Sequence, residues 1–83
     1  MWTKTLEVKI RNKEYQVQVW LSDSDGDGNE IVSIQSMANE FFIIETVKFN
    51  NRDSAYDYIR LFTTEMAKAF MNREGGEYLN GTA

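Results

Sequence analysis

Asp23, Asp25 and Asp27 are the residues of this chain whose type and spacing could do chemistry. Carboxylate oxygens suit a hard divalent cation, and alternating carboxylates in a turn can converge on one centre. Gly26 and Gly28 are interleaved with them, and Glu30 follows two residues later. The same carboxylates could instead be offered to arginines and lysines of another macromolecule. The surrounding charge favours this second use. Between Lys13 and Lys48 there is no cationic residue, while Glu14, Asp23, Asp25, Asp27, Glu30, Glu40 and Glu45 all fall in that stretch. The first 13 residues are basic, with Lys4, Lys9, Arg11 and Lys13 against Glu7, and residues 48–83 balance. The net charge of −4 is therefore a concentrated acidic middle beside a basic start. Such a middle attracts basic partners and repels nucleic acid.

The run Asp23-Ser-Asp25-Gly-Asp27-Gly28 resembles the opening of an EF-hand loop, D-x-D-x-D-G. The resemblance implies a calcium site on Asp23, Asp25 and Asp27. Counting from Asp23, however, the twelfth position is Ile34, where the family places a bidentate glutamate, and the eighth is Glu30, where it places an apolar residue. No helical pattern precedes the loop. Calcium binding is thus the alternative to partner binding, and no cofactor or metal is expected.

Other chemistries have less support. The chain has no histidine and no cysteine, so the commonest general base and the best nucleophile are missing. Its serines have no obvious activating base, and the glycines among aspartates would repel a phosphate rather than cradle it. An enzyme is not expected. Direct nucleic-acid binding is disfavoured by a pI near 4.7. Trp2, Tyr15 and Trp20 read more simply as core or interface aromatics than as base-stacking platforms. The longest strongly apolar run, residues 41–44, is far short of a membrane span of about 20 residues. The N-terminal residues alternate charged and apolar types, unlike a signal peptide, so a cytoplasmic protein is expected.

The elements that must position these residues follow from periodicity. Leu6, Val8 and Ile10 alternate with polar residues, as do Tyr15, Val17, Val19 and Leu21, which predicts two strands joined by a turn around Asn12-Lys13. Residues 22–30 break strands. Residues 31–37 and 41–49 are predicted as third and fourth strands, with a turn at Ala38-Asn39-Glu40. A capping box at Ser54 to Asp57, or Asp53 in its place, then opens one long helix. Its stripe is Ala55, Ile59, Phe62, Met66, Ala69, Phe70 and Arg73, and Gly75-Gly76 ends it. The expected fold class is α+β: a four-stranded antiparallel sheet with one C-terminal amphipathic helix packed on one face. Residues 1–76 form a single domain and residues 77–83 a short tail. The predicted core is Leu6, Val8, Ile10, Val17, Val19, Leu21, Val32, Ile34, Ile59, Phe62, Met66 and Phe70.

One helix covers one face of such a sheet, and the other face would hold Trp20, Gln18, Gln16 and two of residues 41–44. Trp20, Gln18, Phe42 and Ile44 are therefore candidates for a dimer or partner face. The alternative is that the C-terminal tail folds over them.

The strand-to-helix junction Val47-Lys-Phe-Asn-Asn-Arg-Asp-Ser-Ala-Tyr-Asp-Tyr-Ile-Arg-Leu-Phe62 gives an architecture that resembles small phage-encoded anti-defence proteins, among them anti-CRISPR proteins of similar size and acidity. The resemblance covers residues 1–75 and implies a non-enzymatic inhibitor that blocks a CRISPR or other nucleic-acid-binding complex by occupying its basic surface. Charge alone assigns the contact to Asp23, Asp25, Asp27, Glu30, Glu40 and Glu45. A calcium-binding loop module and a homodimeric assembly module are the competing expectations.

Overall fold

A computed structural model of the chain describes residues 3–22, 26 and 28–79. Four strands, β1 (Thr3–Ile10), β2 (Lys13–Ser22), β3 (Glu30–Ala38) and β4 (Phe41–Phe49), form one antiparallel sheet in the order β1-β2-β3-β4. Two helices follow, α1 (Arg52–Arg60) and α2 (Thr64–Leu79), and both lie on the same side of the sheet. The α+β class and the four-stranded meander agree with the sequence.

The β1–β2 connection is a two-residue turn at Arg11-Asn12, one residue earlier than expected, with both φ angles positive at 52° and 68°. This is the twist that matches a right-handed hairpin, and it favours Asn-Gly over Arg-Asn. Replacing Arg11→Asn together with Asn12→Gly is expected to raise stability by about 0.5–1 kcal/mol by relieving left-handed backbone strain. A thermal melt followed by circular dichroism should show an upward shift of a few degrees; an unchanged or lower midpoint would argue against strain there.

The single helix of the sequence reading is two. Asn51 caps α1, its side chain accepting from the Ser54 amide at 2.8 Å, so neither Ser54 nor Asp53 is the cap. The helix stops because Leu61 turns out of it, and the Phe62 amide donates to the Ile59 carbonyl at 3.2 Å. Thr63 then restarts the chain, its hydroxyl accepting from the Met66 amide at 3.2 Å. Lys4 fastens the break to β1, its Nζ donating to the carbonyls of Arg60 at 2.9 Å and Phe62 at 2.8 Å.

The interruption resets the helical phase. Ala67, Phe70, Met71, Gly75 and Leu79 form the buried stripe of α2, whereas Met66 is only half-buried and Ala69 is exposed. The helix also runs through Gly75-Gly76 to Leu79, so residues 77–79 are not a tail. Tyr78 stacks on Phe41 with ring centroids 4.2 Å apart, and Leu79 is buried.

The core lies between the sheet and the helices. Val8, Val17, Val19, Val32, Ile34, Ile59, Phe62 and Phe70 are buried as expected, with Ala38, Ile43, Ala55, Ala67, Met71 and Leu79 completing it. Leu6, Ile10, Leu21 and Met66 pack against its margin. None of the helices among the described residues is long and apolar enough to cross a membrane.

Candidate partner-binding face

Strand alternation and the pairing registers fix which side chains share the uncovered side of the sheet. Thr3 of β1 faces Trp20 of β2, which faces Ser33 of β3, which faces Thr46 of β4. The next row is Thr5, Gln18, Gln35 and Ile44. Glu7 pairs with Gln16, and Met37 with Phe42, beyond it. Lys9 and Glu14 close one end, and Ile31 and Lys48 the other. These positions alternate with the core residues, so burying one set leaves the other facing outward.

Large apolar side chains are exposed here: Met37 at 48%, Phe42 at 57% and Ile44 at 46%. Trp20 is half-buried beside them. The polar groups in the middle bond in part to one another. Gln35 Nε2 donates to Gln18 Oε1 at 2.7 Å, and the Ser22 and Ser33 hydroxyls share a hydrogen bond at 3.0 Å. Ser22 also donates to the Ile31 carbonyl at 2.8 Å.

The β2–β3 ladder runs from Ser22↔Ile31 to Gln18↔Gln35 and stops there, although both strands continue. Beyond that point the Ser36 hydroxyl donates to the Gln16 carbonyl at 2.6 Å in place of a main-chain bond. The strands part into a concavity of about 920 Å³, bordered on the open side by Glu14, Gln16, Gln18, Gln35, Met37 and Phe42. Its far wall is tied together by Asn39, whose backbone is left-handed at φ 59°. Asn39 Oδ1 accepts from Lys13 Nζ at 3.3 Å and the Tyr15 hydroxyl at 3.2 Å, and Nδ2 donates to the Tyr78 carbonyl at 2.7 Å.

The structure brings Trp20, Gln18, Phe42 and Ile44 together on this face, with Gln35 and Met37 added. The register supplies those two. The β3 pattern Ile31-Val-Ser-Ile-Gln-Ser-Met37 is apolar at both parities and does not declare its faces. The C-terminal residues through Leu79 dock on the helix-covered side, through Tyr78 and Phe41, and leave the open face uncovered.

The acidic row does not assemble as expected. Glu30 points to the helix side, where Arg52 Nε lies 3.2 Å from its carboxylate. Glu45, also on the helix side, takes a two-pronged contact from Arg73, with Arg73 Nε at 2.8 Å. Both arginines come from residues 48–83, which the charge balance of the acidic stretch does not include. Glu40 is exposed at the β3–β4 turn, at the opposite end of β3 from Glu30. Asp23, Asp25 and Asp27 lie outside the described residues; the strands that flank them end at Ser22 and begin at Glu30. Among the described residues, no group of three or more acids could hold a metal ion.

Glu45 anchors a small charge cluster. The Arg73 guanidinium holds its carboxyl below the ordinary carboxylate range against the opposing effect of burial. Glu74, hydrogen-bonded to Glu45, is pushed up. Burial, then the Glu45 charge, raises the Tyr58 hydroxyl. Comparison with protein families, curated proteins and solved structures found no match to this chain.

Proposed function

We propose that this chain is a non-enzymatic protein-binding domain that docks through the open face of its sheet. The observation that carries the reading is the exposure of Met37, Phe42 and Ile44 on neighbouring positions of β3 and β4, on the uncovered side of the sheet. Exposed apolar patches of this kind are where proteins meet other proteins. The Ser22–Ser33 pair supports it, because Ser22 donates to the Ile31 carbonyl and Ser33 bonds to Ser22, so neither hydroxyl is left an unpaired donor when covered. The test is capture, by immobilised chain, of partners from a bacterial lysate or of soluble tagged copies of the chain itself. Ile44→Glu, an exposed change that leaves the core alone, is expected to abolish specific capture; equal capture by the variant removes the open face from the reading.

A second reading keeps the acidic segment. Asp23, Asp25 and Asp27 all fall in the one connection between the central strands β2 and β3. In this reading the protein is a phage or mobile-element inhibitor of the anti-CRISPR type, and that connection meets the basic groove of a nucleic-acid-handling complex. Glu30 and Glu45 drop out of the contact because their arginines already occupy them, which leaves the three aspartates, with Glu40 at a distance. Charge pairing of this kind weakens with salt. Asp25→Lys with Asp27→Lys is expected to lose the partner and its salt dependence together; a double variant that binds as before excludes the acidic contact. Calcium titration separates both readings from the metal alternative.

A further inference from the structure

We infer that the protein docked by the open face is a second copy of this chain, packed sheet against sheet about a two-fold axis. The inference rests on the binding-face reading above and names its occupant. The first reason is charge. The chain carries −4, so two copies repel where their acidic surfaces meet. Among the described residues of the open face, Glu7 and Glu14 are matched by Lys9 and Lys48, all at its borders, and the middle is uncharged. A neutral face gives a basic partner little to recognise, but it lets an identical acidic molecule approach without penalty.

The second reason is what a dry interface requires. Burying an amide or hydroxyl without a partner is costly. One Gln35 amide hydrogen already bonds to the Gln18 oxygen, and Ser22 bonds to Ser33, so part of the centre's demand is met before contact and the Gln18 amide is the donor a two-fold mate must receive.

The third is size and placement. With strands about 4.8 Å apart rising about 3.3 Å per residue, the face measures roughly 19 by 27 Å, on the order of 500 Å² per copy. Two copies then bury roughly 1,000 Å², near the lower limit of a specific interface, so the dimer should form in the micromolar range. The apolar side chains gather on the β3–β4 half, as Met37, Phe42 and Ile44. A two-fold axis across the strands lays that half of one copy on the same half of the other, which is what an isologous contact needs.

Sedimentation equilibrium of the full chain tests this over loading concentrations of about 1 to about 200 µM, a range that brackets micromolar dissociation. The mass is expected to climb from 9.7 kDa towards twice that value, with the same curve at low and high salt. Ile44→Glu is expected to weaken association at least about tenfold by burying an unpaired charge. Leu61→Glu adds the same charge at a site 58% exposed on the helix layer and should leave the curve unchanged. A wild-type monomer throughout, or a dimer indifferent to Ile44→Glu, overturns the inference. If the wild type is monomeric while Ile44→Glu still loses a lysate partner, the binding face stands and its occupant is a different protein. If neither property responds to Ile44→Glu, both readings fall.

Discussion

Phe62→Ala should be among the most damaging single substitutions, costing about 3–5 kcal/mol through lost apolar burial and the cavity left behind. Phe62 is 2% exposed and sits in the three-residue break between the helices rather than in either of them. Its ring packs edge-on to Tyr58, 5.7 Å between centroids, and its carbonyl accepts from Lys4. Removing the ring therefore loosens the joint at which both helices are held to β1. A domain of this size has about 4–12 kcal/mol of total stability, so the variant will be marginal or unfolded at room temperature. Urea titration of Phe62→Leu, a milder change, keeps the measurement possible and should lower the midpoint by a smaller amount. Neighbouring Leu61→Ala, exposed in the same break, should be nearly neutral. A Phe62→Ala protein that melts within about 2 °C of the parent would mean the break does not rest on this ring, since 1 kcal/mol moves the midpoint of such a domain by about 4–8 °C.

Two adjacent glycines should respond in opposite directions. In α2, a Cβ added at Gly75 would lie 2.9 Å from the Ala38 Cβ and 3.0 Å from the Ile43 Cδ1. The Ala38 Cβ is fixed to the sheet backbone and cannot swing away, so Gly75→Ala must push the helix off β3 and β4. Overpacking of this kind costs about 1–3 kcal/mol, more than the roughly 1 kcal/mol that alanine returns in helix propensity. The shift would also disturb the Asn39–Tyr78 hydrogen bond and the Phe41–Tyr78 stack one turn later. At Gly76 nothing lies within 4 Å of the same added carbon, and the residue is helical. Gly76→Ala should stabilise by about 1 kcal/mol through propensity alone. Chemical denaturation of both variants against the parent checks the pair. Changes of the same sign would mean that helix propensity, not the approach of α2 to the sheet, governs this turn.

The pair also explains a misreading. Gly75-Gly76 before a polar end is the ordinary mark of a helix terminus, yet here the first glycine is a contact point and the helix continues to Leu79. Local propensity could not distinguish the two, because the deciding atom belongs to Ala38, far away in sequence. The helix break at residues 61–63 was more accessible. Thr63-Thr64 followed by Glu65 places a capping hydroxyl and an acid where a new first turn needs them. A stripe that also continued through Phe62 and Met66 masked that signal.

Glu30 and Glu45 show the same kind of limit. A run of carboxylates without cations nearby in sequence says nothing about cations brought by folding. Arg52 reaches Glu30, and Arg73 reaches Glu45, only because β3, β4 and the helices stack in this order. Counting charges along the chain measures proximity in one dimension, whereas pairing depends on proximity in three.

By itself the sequence determined the four strands, their meander, the helical C-terminal third and most of the core. Alternation and helical spacing are local properties that survive whatever packs against them. It also marked Trp20, Gln18, Phe42 and Ile44 as lying on the face a helix could not cover. Only the tertiary structure decided which acids are neutralised, where α2 approaches too closely for a side chain, and which neighbours complete the open face. Each of those depends on register and on contacts between residues distant along the chain, and no local pattern encodes them.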